Sequence, residues 1–365
     1  MQEEFTSQQE ELRRALSQKG LDGFVALNDE LSNWQAIAHQ TGFYGTCGLY
    51  FLPCRGEGEI FFDGRYLERA KSEITNCRVL PFEDDFAAKI LEVALSQGAR
   101  KIAMQAHRTS ADQWLAVSRA LEEKGITLTP FDDEFEEICS VKTVSEIAKI
   151  KSAAALATEA FFKALEGVRE GMTEASFAAA LEYQMAIRGA KAAFDTIVAS
   201  GVNSSVPHAY ASEKQIRRGE IVTVDFGARL DNYVCDITRN FVIGSATSEQ
   251  KDLHNLIKNA HIASASAVVA GASGKAIQEI AEGVFGDKRE FFTHSLGHGI
   301  GLFIHELPRL SYRKDYTLKA NQVVTVEPGL YFPSKFGMRL EDDYLVTDGT
   351  PLRLTESMPQ ELFEI

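Results

Sequence analysis

The first third of the chain alternates helical spacing of apolar residues with short runs of β-branched and aromatic ones. Thr6 or Ser7 can cap a helix that runs to Lys19, where Gly20 stops it. Residues 21–27 and 59–62 read as strands, and residues 84–97 as a helix ended by Gly98. A short strand over 101–104, a helix over 110–124 ended by Gly125, and a strand over 126–131 follow. Helices interleaved with short apolar strands predict an α/β domain. The acidic run 132–137 reads as a solvated linker face, and a long helix over 144–165 comes after it. Two domains are therefore expected, 1–135 and 136–365, with the boundary near residue 135.

The second part carries a weak internal repeat. Gly171-Met172-Thr173 opens a helix with Phe177 and Leu181 on its apolar face. One hundred residues later Gly271-Ala272-Ser273 opens another with Ile277 and Ala281. Glycine ends the preceding helix and Thr or Ser caps the next. Each unit leads to a matching strand: Val222-Thr223-Val224-Asp225-Phe226-Gly227 and Val324-Thr325-Val326-Glu327-Pro328-Gly329. An acid recurring at the end of the same strand pattern predicts two similar halves facing each other across a pseudo-twofold axis.

Composition narrows the partners. The 365 residues carry 52 acidic and 38 basic side chains, a formal net charge of −14. That balance disfavours nucleic acid and anionic membrane, both of which need basic patches. The first residues, Met1-Gln2-Glu3-Glu4-Phe5, lack the basic start and apolar core of a signal peptide. No uninterrupted apolar run approaches the ~20 residues of a membrane span. The five cysteines, Cys47, Cys54, Cys77, Cys139 and Cys235, are odd in number and scattered, which predicts a reducing, cytoplasmic setting.

The chemistry lies in the carboxylates. Asp225 ends a β-branched run, and Asp236 follows 11 residues on. A hairpin turning about Leu230-Asp231 would set the two aspartates opposite each other, about 4.5–5.5 Å apart at Cβ, where like charges repel. Such a pair persists only if a cation sits between its members or one of them holds a proton. The second half repeats the device with Glu327 and, 14 residues later, Glu341. Any one of these acids would ordinarily be an edge-strand residue facing water. Four of them, at matched places in two similar hairpins, carry a charge that two divalent cations would neutralise. Acidic oxygens with one imidazole suit Mn²⁺, with Zn²⁺, Co²⁺ or Fe²⁺ as alternatives. A metal pair about 3.5–4 Å apart can aim a shared hydroxide at a carbonyl.

The imidazole comes from a cluster of histidines. His294, His298 and His305 fall within twelve residues, in a chain with eight histidines. Gly297, Gly299 and Gly301 argue against a helix there, so an extended, close-packed segment is expected. His298, between two glycines, lets the backbone approach a metal centre closely. His208 stands on a loop before the first carboxylate strand. His39, His107, His254 and His261 read as surface or packing residues, the last two on one helix.

Taken together, these segments resemble the metallopeptidases of the pita-bread fold, with Xaa-Pro aminopeptidases and prolidases closest. The stretch from His294 to Glu306 fits the family signature. Val224-Asp225-Phe226-Gly227, Asp236-Ile237-Thr238-Arg239, Glu327-Pro328-Gly329-Leu330-Tyr331 and Arg339-Leu340-Glu341-Asp342 resemble its other blocks. The resemblance is strong over 140–355 and weaker over 1–135, where Thr41-Gly42-Phe43 and Asp63-Gly64-Arg65-Tyr66 carry it. It implies an α/β creatinase-like N-terminal domain and an α+β pita-bread catalytic domain with an internal pseudo-twofold repeat.

The resemblance also implies roles. Asp225 would chelate one metal through both oxygens, Asp236 and Glu341 would bridge the pair, and His298 and Glu327 would complete the other ion. Glu327 would also relay a proton. His208 and His305 would contact the scissile amide and the developing oxyanion, and His294 would line the cleft. Thr238 and Arg339 would orient carboxylates. Cys235 and Gln322 are small departures from the pattern that leave the ligand positions intact.

The implied activity is hydrolysis of the Xaa-Pro bond at the N-terminus of proline-containing peptides by a cytoplasmic homodimer with two divalent metals per chain. A strict Xaa-Pro dipeptidase is the alternative. A creatinase-like amidinohydrolase would lack the ligand set, and an inactive binding module would be expected to lose ligands or the loop histidine. Methionine aminopeptidases share the ligands, usually without such an N-terminal domain.

Overall fold

The computed structural model describes residues 2–30, 32–83 and 85–365. The chain forms two compact units, Met1–Cys139 and Ser140–Ile365. The first is built on a six-stranded sheet ordered Arg78–Pro81, Glu59–Phe62, Gly48–Pro53, Gly23–Asn28, Lys101–Met104, Thr127–Pro130. Gly23–Asn28 pairs antiparallel with Gly48–Pro53 and parallel with Lys101–Met104. Alternate residues of this strand feed separate cores. Phe24 packs with Leu12, Leu16 and Phe135, and Val25 with Ile90, Val93 and Leu121. A strand buried on both faces is what a sheet covered by helices on both sides requires.

Several local readings of this unit are corrected. The first helix is Gln2–Gln18, so Thr6 and Ser7 lie inside it rather than at its start. The next long helix starts at Phe86, capped by Asp85, and Asp84 lies outside the described residues. The sequence reading passed over the strands Gly48–Pro53 and Arg78–Pro81 and the helix Trp34–Thr41. The acidic run is no solvated linker: it forms the helix Asp132–Ser140. Its apolar face buries Phe135 and Ile138, and Phe135 stacks on Phe24 at 4.9 Å. That packing carries the first unit past residue 135 to Cys139.

The second unit has two halves of the same design. In the first, the capping box of Thr143 and Glu146 starts the helix Val144–Leu165, and Thr173 caps Glu174–Ala186. The antiparallel strands Ile197–Ser200, Ile221–Phe226 and Ile237–Val242 follow. In the second, Thr247 and Gln250 box the helix Ser248–Ala265, and Ser273 caps Gly274–Phe285. The strands Gly297–Gly299, Val323–Val326 and Asp342–Leu345 come next. The halves match in detail. Thr173 bridges to Gln215 as Ser273 bridges to Thr317. The anticipated apolar faces are buried: Phe177 and Leu181 in one core, Ile277 and Ala281 in the other. The two sheets meet at a bridge between Thr238 and Glu341. No helix among the described residues is long and apolar enough to cross a membrane.

Candidate metal centre

The first ligand hairpin has a different register from the one anticipated. Its turn is Asp231-Asn232, with φ of 49° and 72°, and Arg229 and Leu230 pair with Val234 and Tyr233. A two-residue turn of this hand needs positive φ at both positions, which Asp and Asn tolerate and Leu does not. Moving the turn one residue along puts Thr238, not Asp236, opposite Asp225. In the same register Asp236 falls across from Gly227, on the face of Asp225 and one step further along the ladder. The correction turns a direct like-charge pair into a diagonal one and inserts a hydroxyl at the direct position.

The second half supplies the rest. His298 lies at the centre of Gly297–Gly299. A Cβ on Gly297 would stand 2.0 Å from the Thr325 carbonyl oxygen, and one on Gly299 would stand 2.1 Å from that of Leu307. Only glycine lets the backbone of His298 sit that tightly between its neighbouring strands. The Thr325 hydroxyl faces both sides, accepting from His298 N at 3.0 Å and donating to Glu327 Oε1 at 3.3 Å.

The side chains converge. His298 Nε2 lies 3.7 Å from Asp236 Oδ2 and 3.4 Å from Glu327 Oε1. Ligand atoms of Asp236, His298 and Glu341 all fall within 4.8 Å of one another. Glu341 Oε2 accepts from the Thr238 hydroxyl at 2.6 Å. Arg339 donates to Asp225 Oδ2 at 2.6 Å, to Thr238 Oγ1 at 2.9 Å and to Tyr331 Oη at 2.6 Å. His294 Nε2 reaches the same tyrosine hydroxyl at 2.9 Å.

Burial sets the electrostatics. Glu341 and Asp236 are pushed well up, first by burial; Glu341 raises Asp236 next, and Glu327 and Asp225 raise both. Glu327 is pushed up to about 8, again first by burial. His298 and His294 are each pushed down to about 3 by burial, so both imidazoles are neutral, the form that ligates metal. Oδ1 of both Asp225 and Asp236 is buried without a hydrogen-bond donor. A buried carboxylate oxygen with no donor costs about 1–3 kcal/mol or more. Divalent cations would repay that cost at the same atoms where the carboxylates crowd, and the donor set of oxygens with one neutral imidazole fits them.

A cavity of about 1060 Å³ opens over this group. Asp225, Asp236, His298, Glu327, Glu341, His208, His294, His305 and Arg339 all line it, and Thr238 stands behind. The His305 ring packs edge-on against His298 with centroids 4.5 Å apart. His254 and His261 are buried on their helix away from the cavity, and His39 is buried in the first unit rather than at its surface.

Sequence reasoning missed the support beneath. Arg239, fully buried, donates to Asp342 Oδ1 at 2.6 Å and to the carbonyls of Thr238, Glu341 and Pro359. Asp343 accepts from Asp236 N at 3.1 Å. A signal existed in Ile237-Thr238-Arg239-Asn240-Phe241-Val242. An arginine in a strand buried at every position must find a carboxylate partner.

Residues 148–348 match metallopeptidase family M24, and residues 8–141 match the creatinase/prolidase N-terminal domain. The chain is 32% identical to the peptidase YqhT of Bacillus subtilis, over 97% of this chain and 98% of that one. Among solved structures it is similar to the X-Pro aminopeptidase of Thermotoga maritima, with a TM-score of 0.90, 35% identity, and coverage of 96% and 100%. It is also similar to a Xaa-Pro dipeptidase from Bacillus anthracis, with a TM-score of 0.92, 32% identity, and coverage of 99% and 100%.

Proposed function

The chain belongs to metallopeptidase family M24, and on that premise we propose that it hydrolyses the Xaa-Pro bond at the amino terminus of peptides. The observation that carries the reading is the convergence of Asp225, Asp236, Glu327, Glu341 and His298 around orphaned carboxylate oxygens. Asp236 and Glu341 would bridge two divalent ions, Asp225 would hold one, and His298 with Glu327 would hold the other. When bound, such a pair supplies Lewis acidity at the scissile carbonyl and makes the attacking water more acidic.

The chain's own residues do the rest. Glu327 takes the proton of the attacking water and passes it towards the leaving proline nitrogen. His305 and His208, on separate loops that both line the cavity, donate to the carbonyl oxygen as it gains charge and to the scissile amide. Arg339 fixes Asp225 and, through Thr238, Glu341. His294 lines the cleft with its ring held by Tyr331. The oxygen-rich donor set favours Mn²⁺.

The cavity favours an aminopeptidase. Its volume of about 1060 Å³, at the upper end of the ~300–1,000 Å³ of small-ligand sites, leaves room beyond a dipeptide. A specific feature favours the dipeptidase reading: Arg309 and Arg313 both line the cavity and could clamp a proline carboxylate. A homodimer in the cytoplasm completes the proposal, in keeping with five cysteines that form no disulfide among the described residues.

The test is metal analysis of protein purified without chelator, together with cleavage of a Xaa-Pro dipeptide and of the same sequence extended by two or more residues. Equal or better cleavage of the longer peptides supports the aminopeptidase. Cleavage of the dipeptide alone, with KM raised by Arg309→Ala or Arg313→Ala, supports the dipeptidase.

A further inference from the structure

Glu174 opens the helix Glu174–Ala186 and is fully buried. It does not reach the metal ligands. Its carboxylate instead gathers donors from the segment that carries His208. Oε1 accepts from Ser200 N at 2.6 Å and from the Ser200 hydroxyl at 2.7 Å. Oε2 accepts from Ser212 N at 3.2 Å and from the Ser212 hydroxyl at 2.6 Å. Asn203 Nδ2 donates to both oxygens, at 3.2 and 3.0 Å. Ser200 and Ser212 are the two ends of a loop whose far part, Pro207 to Ala211, forms one wall of the cavity. One carboxylate therefore joins both ends of the loop at its base, beside the Ala175 N–H that donates to the Ser212 carbonyl at 2.9 Å. Within the far part His208 and Tyr210 are exposed, Tyr210 to 83%, and Ala211 packs against the core.

We propose that Glu174 is the positioning residue of the His208 loop, holding both ends so that His208 meets the substrate in a fixed place. The proposal rests on the reading above that His208 serves the reaction. Its physical basis is the pairing of each oxygen with a different loop end. Ser200 N and Ser212 N can only donate. Glutamine at 174 has one acceptor oxygen and one amide nitrogen, so either orientation sets the nitrogen against one of these two N–H groups. One of the two N–H groups then loses its acceptor, and that end of the loop is held less tightly. A shift of about 1 Å at a catalytic group can cost roughly 10²-fold in rate. Other ties remain in the variant, among them Ala175 N to the Ser212 carbonyl at 2.9 Å, the pairing of Ser200 with Val222 and the Arg339 bond to the Pro207 carbonyl at 3.4 Å, so the loop loosens without leaving.

The test compares four metal-loaded proteins: the parent, Glu174→Gln, His208→Ala and the double variant. The readouts are kcat and KM on a Xaa-Pro peptide, metal content, and amide exchange at residues 200–212. Glu174→Gln should lower kcat about 10- to 100-fold with metal content unchanged and exchange accelerated at Ser200 or Ser212. The double variant should be no worse than His208→Ala within about twofold, because both act through one group. Effects that multiply independently, or exchange that does not change, overturn the proposal. If His208→Ala leaves kcat unchanged, the histidine's role falls. Exchange at Ser200 and Ser212 then decides on the tether alone. Should Glu174→Gln fail to fold, Asn203→Ala removes one donor without opposing two N–H groups. It should give a few-fold loss in kcat in the same direction, and an unchanged kcat would overturn the proposal.

Discussion

Lys142 and Glu306 form the sharpest test of how the catalytic unit is held together. The Lys142 ammonium is 1% exposed and lies 2.6 Å from Glu306 Oε2, whose own side chain is 7% exposed. Glu306 Oε1 accepts from Phe303 N at 2.9 Å, so this carboxylate sets the bend that presents His305. Lys142→Met keeps most of the aliphatic stem and removes the ammonium, with its bonds to Glu306 and to the Ser140 carbonyl at 3.1 Å. Glu306 is then a buried carboxylate whose hydrogen-bond donor is the Phe303 N–H. Breaking one side of a buried ion pair costs about 3–5 kcal/mol, because the remaining charge is uncompensated. With an m-value of about 3 kcal/mol per molar urea, the midpoint should fall by roughly 1–1.7 M. The assay is urea unfolding by circular dichroism, with residual peptidase activity followed in parallel and metal concentration held fixed. Tryptophan fluorescence would not serve, since Trp34 and Trp114 both precede residue 140. The double variant Lys142→Met/Glu306→Gln should recover most of the loss, because the uncompensated charge is gone. A single-variant loss under about 1 kcal/mol, the range of exposed pairs, would refute the reasoning.

Chelation should abolish activity and Mn²⁺ or a similar ion should restore it, with close to two ions bound per chain at saturation; full activity in rigorously metal-free protein would refute the metal reading. Asp236→Ala and Glu341→Ala should be the most damaging changes, seen as lost metal content, since each would remove a proposed bridge. His208→Ala and His305→Ala should keep metal and lower kcat by about 10²–10³-fold, whereas His298→Ala should lose metal; metal content tells the two classes apart. Burial pushes His261 down to about 4, while an unfolded histidine titrates near about 6.5. The unfolded chain therefore takes up a proton that the folded one refuses. Stability should fall as pH drops from about 6.5 to about 4, by up to roughly 3 kcal/mol. The slope should flatten in His261→Gln, and parallel pH profiles for parent and variant would count against this assignment.

What the sequence determined by itself was set by local pattern. Two β-branched runs ending in Asp225 and Glu327, two glycine-started helices one hundred residues apart, and a glycine-flanked His298 are legible because alternation, capping and turn chemistry act over a few residues. Even the turn at Asp231-Asn232 was in principle readable, since only those two residues tolerate the required positive φ. Misplacing it by one residue changed the partner of Asp225 from Thr238 to Asp236, because register shifts by two for each step of the turn. The tertiary structure alone decided the rest. The acidic run 132–137 became a packed helix because Phe135 found Phe24, more than a hundred residues earlier. Thr238 met Glu341, Arg239 met Asp342 and Glu174 met both ends of the His208 loop through contacts between distant segments. Each buried charge or hydroxyl in those contacts must find a partner, and the sequence states that need. Which partner answers it depends on how the two halves of the catalytic unit fold against each other, and that lies beyond the reach of any local pattern.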